Sequence, residues 1–155
     1  MTDDEVGSVV RAHLYIEFYM DQLIDASVPN PAALPAMRLD YFGRVKLLSV
    51  LGVGDRATKP LQNLGELRNK FAHRLNFRLT TERMRALYET FDANAKQIAH
   101  LAYDDMRKLS SKNHPKKMWA LAPKDIFLLL APAIRAALLA VYKEKTGKLP
   151  AGSWL

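Results

Sequence analysis

The longest apolar segment, from Ile126 to Tyr142, constrains the fold of this chain most strongly. It lies at the lower length limit for a membrane span and contains Pro132 and Arg135, so a buried core helix is the favoured interpretation. Pro123 before the segment and Gly147 after it are residue types that begin and end helices. The rest of the chain is then expected to supply the apolar faces that cover this helix.

Another long helix is expected from about Asp4 to Ala26, and Pro29 follows its end. Its apolar residues recur close to the helical period, so we expect them to face the core. These residues are Val6, Val10, Leu14, Phe18 and Ile24. His13 and Glu17 lie one turn apart on the same helix and are interpreted as a surface pair.

Three further helices follow from the same apolar spacing. Asp40 is expected to cap the first of them, and Gly52 is expected to end it. The expected boundaries are Tyr41 to Leu51, Pro60 to about His73, and Thr80 or Thr81 to about Lys108.

Two segments lack helical signals and are predicted to be loops. Residues 28–37 are rich in proline, and residues 110–122 form a basic segment around Pro115. The run LNFRL alternates in polarity but has no partner strand with which to form a sheet. The sequence therefore predicts an all-α fold, a single-domain bundle of about five helices over residues 1–155.

The charge of the chain predicts a polyanionic partner. Its formal net charge is +7 and its pI is about 9.7. The N-terminal part is acidic, whereas basic residues dominate from Arg107 onward. The opening residues, MTDDEVGS, carry no signal-peptide pattern, so we expect a cytoplasmic protein with no membrane partner.

Several kinds of site lack their sequence signature. The absence of cysteine excludes a disulfide scaffold, a thiol nucleophile and a zinc site built on thiolates. The four histidines are not at a metal-binding spacing. Gly52-Val53-Gly54 lacks the remainder of a phosphate-binding glycine loop. We therefore expect neither a metal nor a cofactor.

The segment from Leu67 to His73 is the strongest candidate for chemistry. Arg68 offers a fork of donors suited to phosphate, and His73 is an imidazole that can exchange a proton near neutral pH. At about 100° per residue, Asn69 and His73 lie one turn apart and away from the apolar stripe of the helix. Arg68 lies about 140° from His73 on a regular helix, so the two side chains diverge within one chain.

This divergence suggests a site made by two chains. Cleavage of RNA through its 2′-hydroxyl needs one group that accepts a proton and another that donates one. Each motif holds only one imidazole, that of His73. A symmetric homodimer would place two copies of His73 and two of Arg68 around one phosphate.

A purely structural role for the same residues is an open alternative. Arg68 could pair with an acidic side chain, that of Glu17, Asp21 or Glu66. Asn69 could bind carbonyl groups at the helix end. His73 could favour the helix C-terminus as a cation. Arg107 and His114 have a similar spacing, but we interpret them as part of a basic patch, because no polar residue follows the arginine.

The motif resembles the signature of the HEPN superfamily, in which Arg-Asn-x-x-x-His follows a short leucine-rich helix. The run FGRVKLL at 42–48, followed by Leu51-Gly52-Val53, is similar in order and spacing to the branch named after the mannitol operon repressor. The resemblance implies an all-α domain that commonly dimerises, in a superfamily that includes metal-independent endoribonucleases and toxins. The mannitol operon repressor-like branch is associated with transcription regulation rather than with cleavage.

The leading hypothesis is a dimeric RNA-interacting domain that cleaves RNA without metal through Arg68, Asn69 and His73. Basic side chains would attract the RNA backbone. They are Lys70, Arg74, Arg107, Lys108, Lys112, Lys116, Lys117 and Lys124. Two alternatives remain, a non-catalytic regulatory or protein-binding module, and a toxin restrained by a cognate antitoxin.

Overall fold

The structure is a computed structural model that describes residues 2–111 and 113–152, with side chains from Glu5 onward. Within these residues the chain forms six α-helices and two short 3₁₀ helices and contains no strand. The α-helices are α1 (Thr2–Ser27), α2 (Tyr41–Val50), α3 (Asp55–His73), α4 (Thr81–Glu89), α5 (Ala93–Leu109) and α6 (Pro123–Thr146). The 3₁₀ helices are Pro31–Met37 and Met118–Ala120. The prediction of an all-α bundle is therefore confirmed.

Helix α6 is the centre of the bundle. It packs against α1, α3, α4 and α5, and it buries a continuous set of apolar side chains that includes Phe127, Leu130, Ile134 and Leu138. By length and composition α6 could cross a membrane, but half of its most apolar window is buried inside the bundle. Such burial is typical of the core helix of a helical domain.

Three residues that were predicted to begin or end helices are confirmed in that role, namely Asp40, Thr80 and Gly147. The Asp40 carboxylate accepts a hydrogen bond of 2.7 Å from the Gly43 amide at the start of α2. Thr80 caps α4 in the same way, with 3.2 Å to the Arg83 amide. Gly147 ends α6 at a φ of 75°, in the left-handed region that glycine adopts without strain.

The prediction of one long fourth helix is wrong, because two helices, α4 and α5, form in its place. The described residues therefore contain six α-helices rather than about five. The break falls between Glu89 and Ala93. Asp92 accepts a hydrogen bond from the Ala95 amide and so caps a new helix, α5. Phe91 at the break is buried, so apolar spacing alone made the two helices look continuous.

The predicted core face of α1 is wrong at three of its five residues. Val10, Leu14 and Phe18 are exposed, whereas Ile24 is buried as predicted, together with Val9, Ile16, Met20 and Leu23. This helix carries two apolar stripes, and the broader one faces α2, α3 and α6. Periodicity identified the helix but could not choose between its stripes.

Two further boundaries differ from the prediction. Helix α3 begins at Asp55 rather than at Pro60, which lies buried inside it. Proline there removes one backbone hydrogen bond near the helix start without ending the helix. The predicted loop at 28–37 contains a 3₁₀ helix, and the predicted basic loop at 110–122 contains another.

Gly65 lets α2 and α3 approach closely. A Cβ atom at this position would overlap the ring of Tyr41 and touch that of Phe42. The Tyr41 hydroxyl donates a hydrogen bond of 2.7 Å to the Leu61 carbonyl oxygen, which joins the two helices further. The contact places the Tyr41 ring beside α1 and the C-terminal half of α3, where the candidate site lies.

Candidate nucleic-acid interface

The predicted motif forms the exposed C-terminal end of α3. Arg68 and His73 are exposed, and Asn69 is partly buried. The Arg68 guanidinium donates a hydrogen bond of 3.3 Å from Nη1 to Oδ1 of Asn69. Leu67, immediately before the motif, is buried in the core and anchors this end of the helix. The structure therefore presents all three predicted side chains outside the core.

A turn after α3 holds this end in place. The backbone leaves the helix at Arg74, and the Phe77 amide donates a hydrogen bond of 3.0 Å to the Arg74 carbonyl oxygen. Phe77 is buried edge-on against Phe71, with ring centroids 4.7 Å apart. The Arg83 guanidinium lies 4.5 Å from the centroid of the Phe77 ring. These contacts fix the chain after the motif without covering His73.

Arg68 and His73 do not converge within one chain. Helix α3 extends through His73, so the two side chains leave it about 140° apart. The positive charge of Arg68 is among the groups that lower the pKa of His13 on α1. The motif thus places Arg68 on a different flank of α3 from His73, and Asn69, one turn before His73, accepts the hydrogen bond from Arg68.

His13 is not part of a surface pair, contrary to prediction. It is only 4% exposed and stacks on the Tyr41 ring with centroids 4.5 Å apart. Its Nδ1 lies 3.5 Å from a carboxylate oxygen of Glu17. The prediction missed this burial because the apolar partner, Tyr41, belongs to another helix.

Arg44 binds Glu17 and Asp21, the acidic residues of α1 with which Arg68 would pair if its role were purely structural. Its guanidinium binds Glu17 and, at 2.6 Å, the carboxylate of Asp21. Burial lowers the pKa of Arg44, but the hydrogen bonds to Asp21 and Glu17 outweigh it and raise the pKa above its ordinary value. The contact that the structure gives Arg68 is instead the one to Asn69.

The environment of His13 predicts a pH-dependent stability. Burial lowers its pKa below the ordinary value of 6.5; Glu17 raises it, and Arg68 and Arg44 lower it. The unfolded chain therefore binds this proton at a higher pH than the folded chain. The free energy of unfolding is expected to fall as the pH drops through about 6.5 toward the folded pKa. Urea unfolding at a series of pH values measures this slope.

A His13→Gln variant is expected to show a shallower slope over the same range. His73→Gln, at the exposed end of α3, is the matched control and is expected to keep the parental pH dependence. An unchanged slope in His13→Gln would assign the effect to another group.

The other predicted RNA-binding residues lie at the same end of the bundle as the motif. The Leu79 amide beyond the motif binds the Glu5 carboxylate near the start of α1, and the following turns of α1 form a groove with the first half of α6. The start of α5 lies beside the second half of α6, so the two helices are antiparallel and the C-terminus of α5 adjoins the N-terminus of α6 in that region. Lys70, Arg74, Arg107, Lys108, Lys116 and Lys117 are exposed there, and Lys124 is partly buried. Lys112 lies outside the described residues.

The structure adds two arginines to this end that spacing did not identify. Arg83 and Lys70 line one small cavity between α3 and α4. Arg85 is exposed and lies 4.5 Å from the centroid of the Trp119 ring, between α4 and the second 3₁₀ helix. Arginine and aromatic side chains are also the groups on which nucleic-acid bases stack. The partners are distant in sequence, so no local pattern could have revealed them.

Among the described residues there is no group of three or more histidine, aspartate or glutamate side chains that could hold a metal ion.

Known proteins give no independent indication of the function. No family model matches this chain, and no curated protein or solved structure matches it significantly.

Proposed function

We propose that this protein is a HEPN-like, RNA-interacting domain that acts as a metal-independent endoribonuclease when two copies combine. The observation that carries the proposal is the exposed end of α3, where Arg68, Asn69 and His73 lie outside the core. The basic side chains at the same end of the bundle support an RNA substrate, because they attract a phosphate backbone irrespective of its sequence.

The chemistry follows from the groups of the motif. One His73 imidazole accepts the proton of the RNA 2′-hydroxyl, whose oxygen attacks the neighbouring phosphorus. A second His73, from the other copy, donates a proton to the departing 5′-oxygen. Arg68, oriented by Asn69, binds the phosphate and stabilises its extra negative charge in the transition state. The products are a 2′,3′-cyclic phosphate and a 5′-hydroxyl.

The divergence of Arg68 and His73 favours a second candidate function. One chain does not bring both side chains to one phosphate, so the same surface could bind RNA or a regulatory partner without cleavage. In that case the domain is a regulatory module of the mannitol operon repressor-like type. RNA binding that weakens steeply with salt, with intact RNA recovered, would identify this function.

Incubation of the purified protein with mixed RNA in EDTA tests the proposal. We expect fragments with cyclic phosphate ends, and a rate about 100-fold to 10,000-fold lower for His73→Ala. His100→Ala, an exposed histidine of α5 outside the motif and the basic patch, is the matched control and is expected to retain the parental rate. RNA that remains intact, or equal cleavage by His73→Ala, would contradict catalysis by this motif.

A further inference from the structure

A cavity of about 690 Å³ lies between the C-terminal half of α1, the first 3₁₀ helix and the start of α2. We call it the α1–α2 cavity. Its volume falls within the range of about 300–1,000 Å³ that is typical of small-molecule sites. Its apolar wall is formed by Ile24, Pro31, Leu34, Pro35 and Leu39. None of its described lining residues belongs to the α3 motif or to the basic residues proposed to attract RNA, so the cavity is separate from the candidate site.

Four charged side chains also line the α1–α2 cavity, two of each sign. They are Asp21, Asp25, Arg38 and Arg44. Arg44 binds the Asp21 carboxylate at 2.6 Å, so these two charges compensate each other. Asp25 and Arg38 are exposed, and within the described residues neither side chain forms a hydrogen bond or an ion pair. The cavity therefore offers one carboxylate and one guanidinium that the fold itself does not use.

The 3₁₀ helix keeps its side of the cavity in shape without a ligand. Pro31 and Pro35 each fix one backbone φ angle. Leu34 packs against the hydrophobic core, and the Arg38 amide donates a hydrogen bond of 3.2 Å to the Pro35 carbonyl oxygen. A ligand would therefore meet a preformed surface, which reduces the conformational entropy that binding costs.

Arg38 has a backbone conformation that favours glycine. Its φ is 49° and its ψ is 43°, which lies in the left-handed region. Among the described residues it is the one non-glycine residue with a positive φ. In this region the Cβ atom of an L-residue lies too close to the following carbonyl oxygen, so the backbone is strained. Such strain concentrates at functional positions, and here it falls on the residue that supplies the free cation of the cavity.

The charges and the volume of the cavity restrict the class of ligand. A simple anion would be attracted by Arg38 and repelled by Asp25, and a simple cation would meet the reverse. A molecule that carries both signs satisfies both side chains. A cube of 690 Å³ has an edge of about 9 Å, which is close to the length of about 10 Å of three extended residues.

We propose that the α1–α2 cavity binds a small zwitterion with an apolar body, of the class of a short peptide with free termini. The carboxylate of the ligand accepts hydrogen bonds from the Arg38 guanidinium, and its ammonium group donates to the Asp25 carboxylate. Its apolar side chains contact the wall of the cavity. The inference goes beyond the proposed function and requires neither RNA nor a second copy of the chain.

Isothermal titration calorimetry of the purified protein with the tripeptide alanyl-leucyl-alanine tests the ligand class. The form with free termini is expected to bind with a Kd of about 0.1 mM. The N-acetylated and the C-amidated forms are each expected to bind about 10-fold more weakly, because each lacks one charged contact. Inorganic phosphate and putrescine carry one sign of charge only and are expected to bind more weakly than the free tripeptide. Absence of binding by free peptides of two, three and four residues up to about 5 mM, or equal binding of the free and blocked forms, would overturn the proposal.

Asp25→Asn tests the contact with the ammonium group. It is expected to raise the Kd of the free tripeptide about 10-fold and to leave that of the N-acetylated form unchanged, since this form has no ammonium group. Asp104→Asn, at an exposed carboxylate of α5, is the matched control and is expected to keep the parental Kd for both forms. An equal loss for both forms, or no loss for either, would remove Asp25 from the proposed site.

Arg38→Gly separates binding from stability, because it removes the guanidinium and relieves the left-handed strain at the same time. It is expected to raise the Kd of the free tripeptide about 10-fold or more, while the urea midpoint of unfolding rises. Arg38→Lys keeps a positive charge and the strained backbone, so it is expected to keep the parental midpoint and part of the binding. Parental binding by Arg38→Gly would overturn the proposal. RNA cleavage enters none of these measurements, so failure of this proposal is distinguishable from failure of the proposed function.

Discussion

Replacement of Arg68 by alanine is expected to slow RNA cleavage by about 100-fold or more while the protein stays folded. The physical reason is that, in the proposed mechanism, the Arg68 guanidinium stabilises the negative charge that develops on the phosphate during the reaction. Because Arg68 is exposed, its removal is expected to change the free energy of unfolding by less than about 0.5 kcal/mol. Initial cleavage rates in EDTA and urea unfolding curves measure the two effects.

Arg74→Ala is the matched control, because this arginine is also exposed and lies one residue beyond α3. It is expected to weaken RNA binding only through the loss of one phosphate contact. Arg68→Lys is expected to restore part of the rate, because lysine keeps the charge but lacks the planar fork of donors. Cleavage by Arg68→Ala at the parental rate would remove this residue from the catalytic site.

Replacement of Arg44 by methionine is expected to lower the free energy of unfolding by about 2–3 kcal/mol. The guanidinium is four-fifths buried and binds both Glu17 and Asp21. Its loss leaves the Glu17 carboxylate, itself largely buried, with His13 as its remaining partner. Denaturant unfolding near neutral pH measures the change. Arg56→Met, which breaks an exposed pair with Glu144, is expected to cost less than about 1 kcal/mol.

A double substitution separates the charge from the packing. Glu17→Gln removes the stranded carboxylate, so Arg44→Met combined with Glu17→Gln is expected to lose less stability than the two single changes added together. Additive losses would show that Arg44 does not stabilise the fold through its pair with Glu17. The cycle also tests whether α1 and α2 are joined mainly by this ion pair.

The ends of the helices could be predicted from the sequence wherever residues close to the helix end define it. The Asp40 and Thr80 caps and the Gly147 ending depend on atoms within a few residues, so the residue types alone predict them. The Asp92 cap is equally local, but an apolar residue beside it concealed the break between α4 and α5.

The exposure of the candidate site was also predictable, because it follows from helical geometry. On a helix whose apolar stripe is clear, the position of His73 away from that stripe follows from about 100° per residue. The environment of Arg68 was not predictable in this way. Its neighbour His13 comes from α1, and Glu17 and Asp21 of the same helix bind Arg44 of α2 instead.

The sequence by itself determined that this chain is an all-α bundle built around the apolar helix α6, with an Arg-Asn-x-x-x-His motif at the exposed end of α3. Only the tertiary structure decided which stripe of α1 enters the core, that His13 is buried, and that Leu14 and Phe18 remain at the surface. The physical reason is that periodicity and caps are properties of one segment. Burial depends on which distant segments cover a face, and α1 offers two apolar faces between which its own residues do not choose.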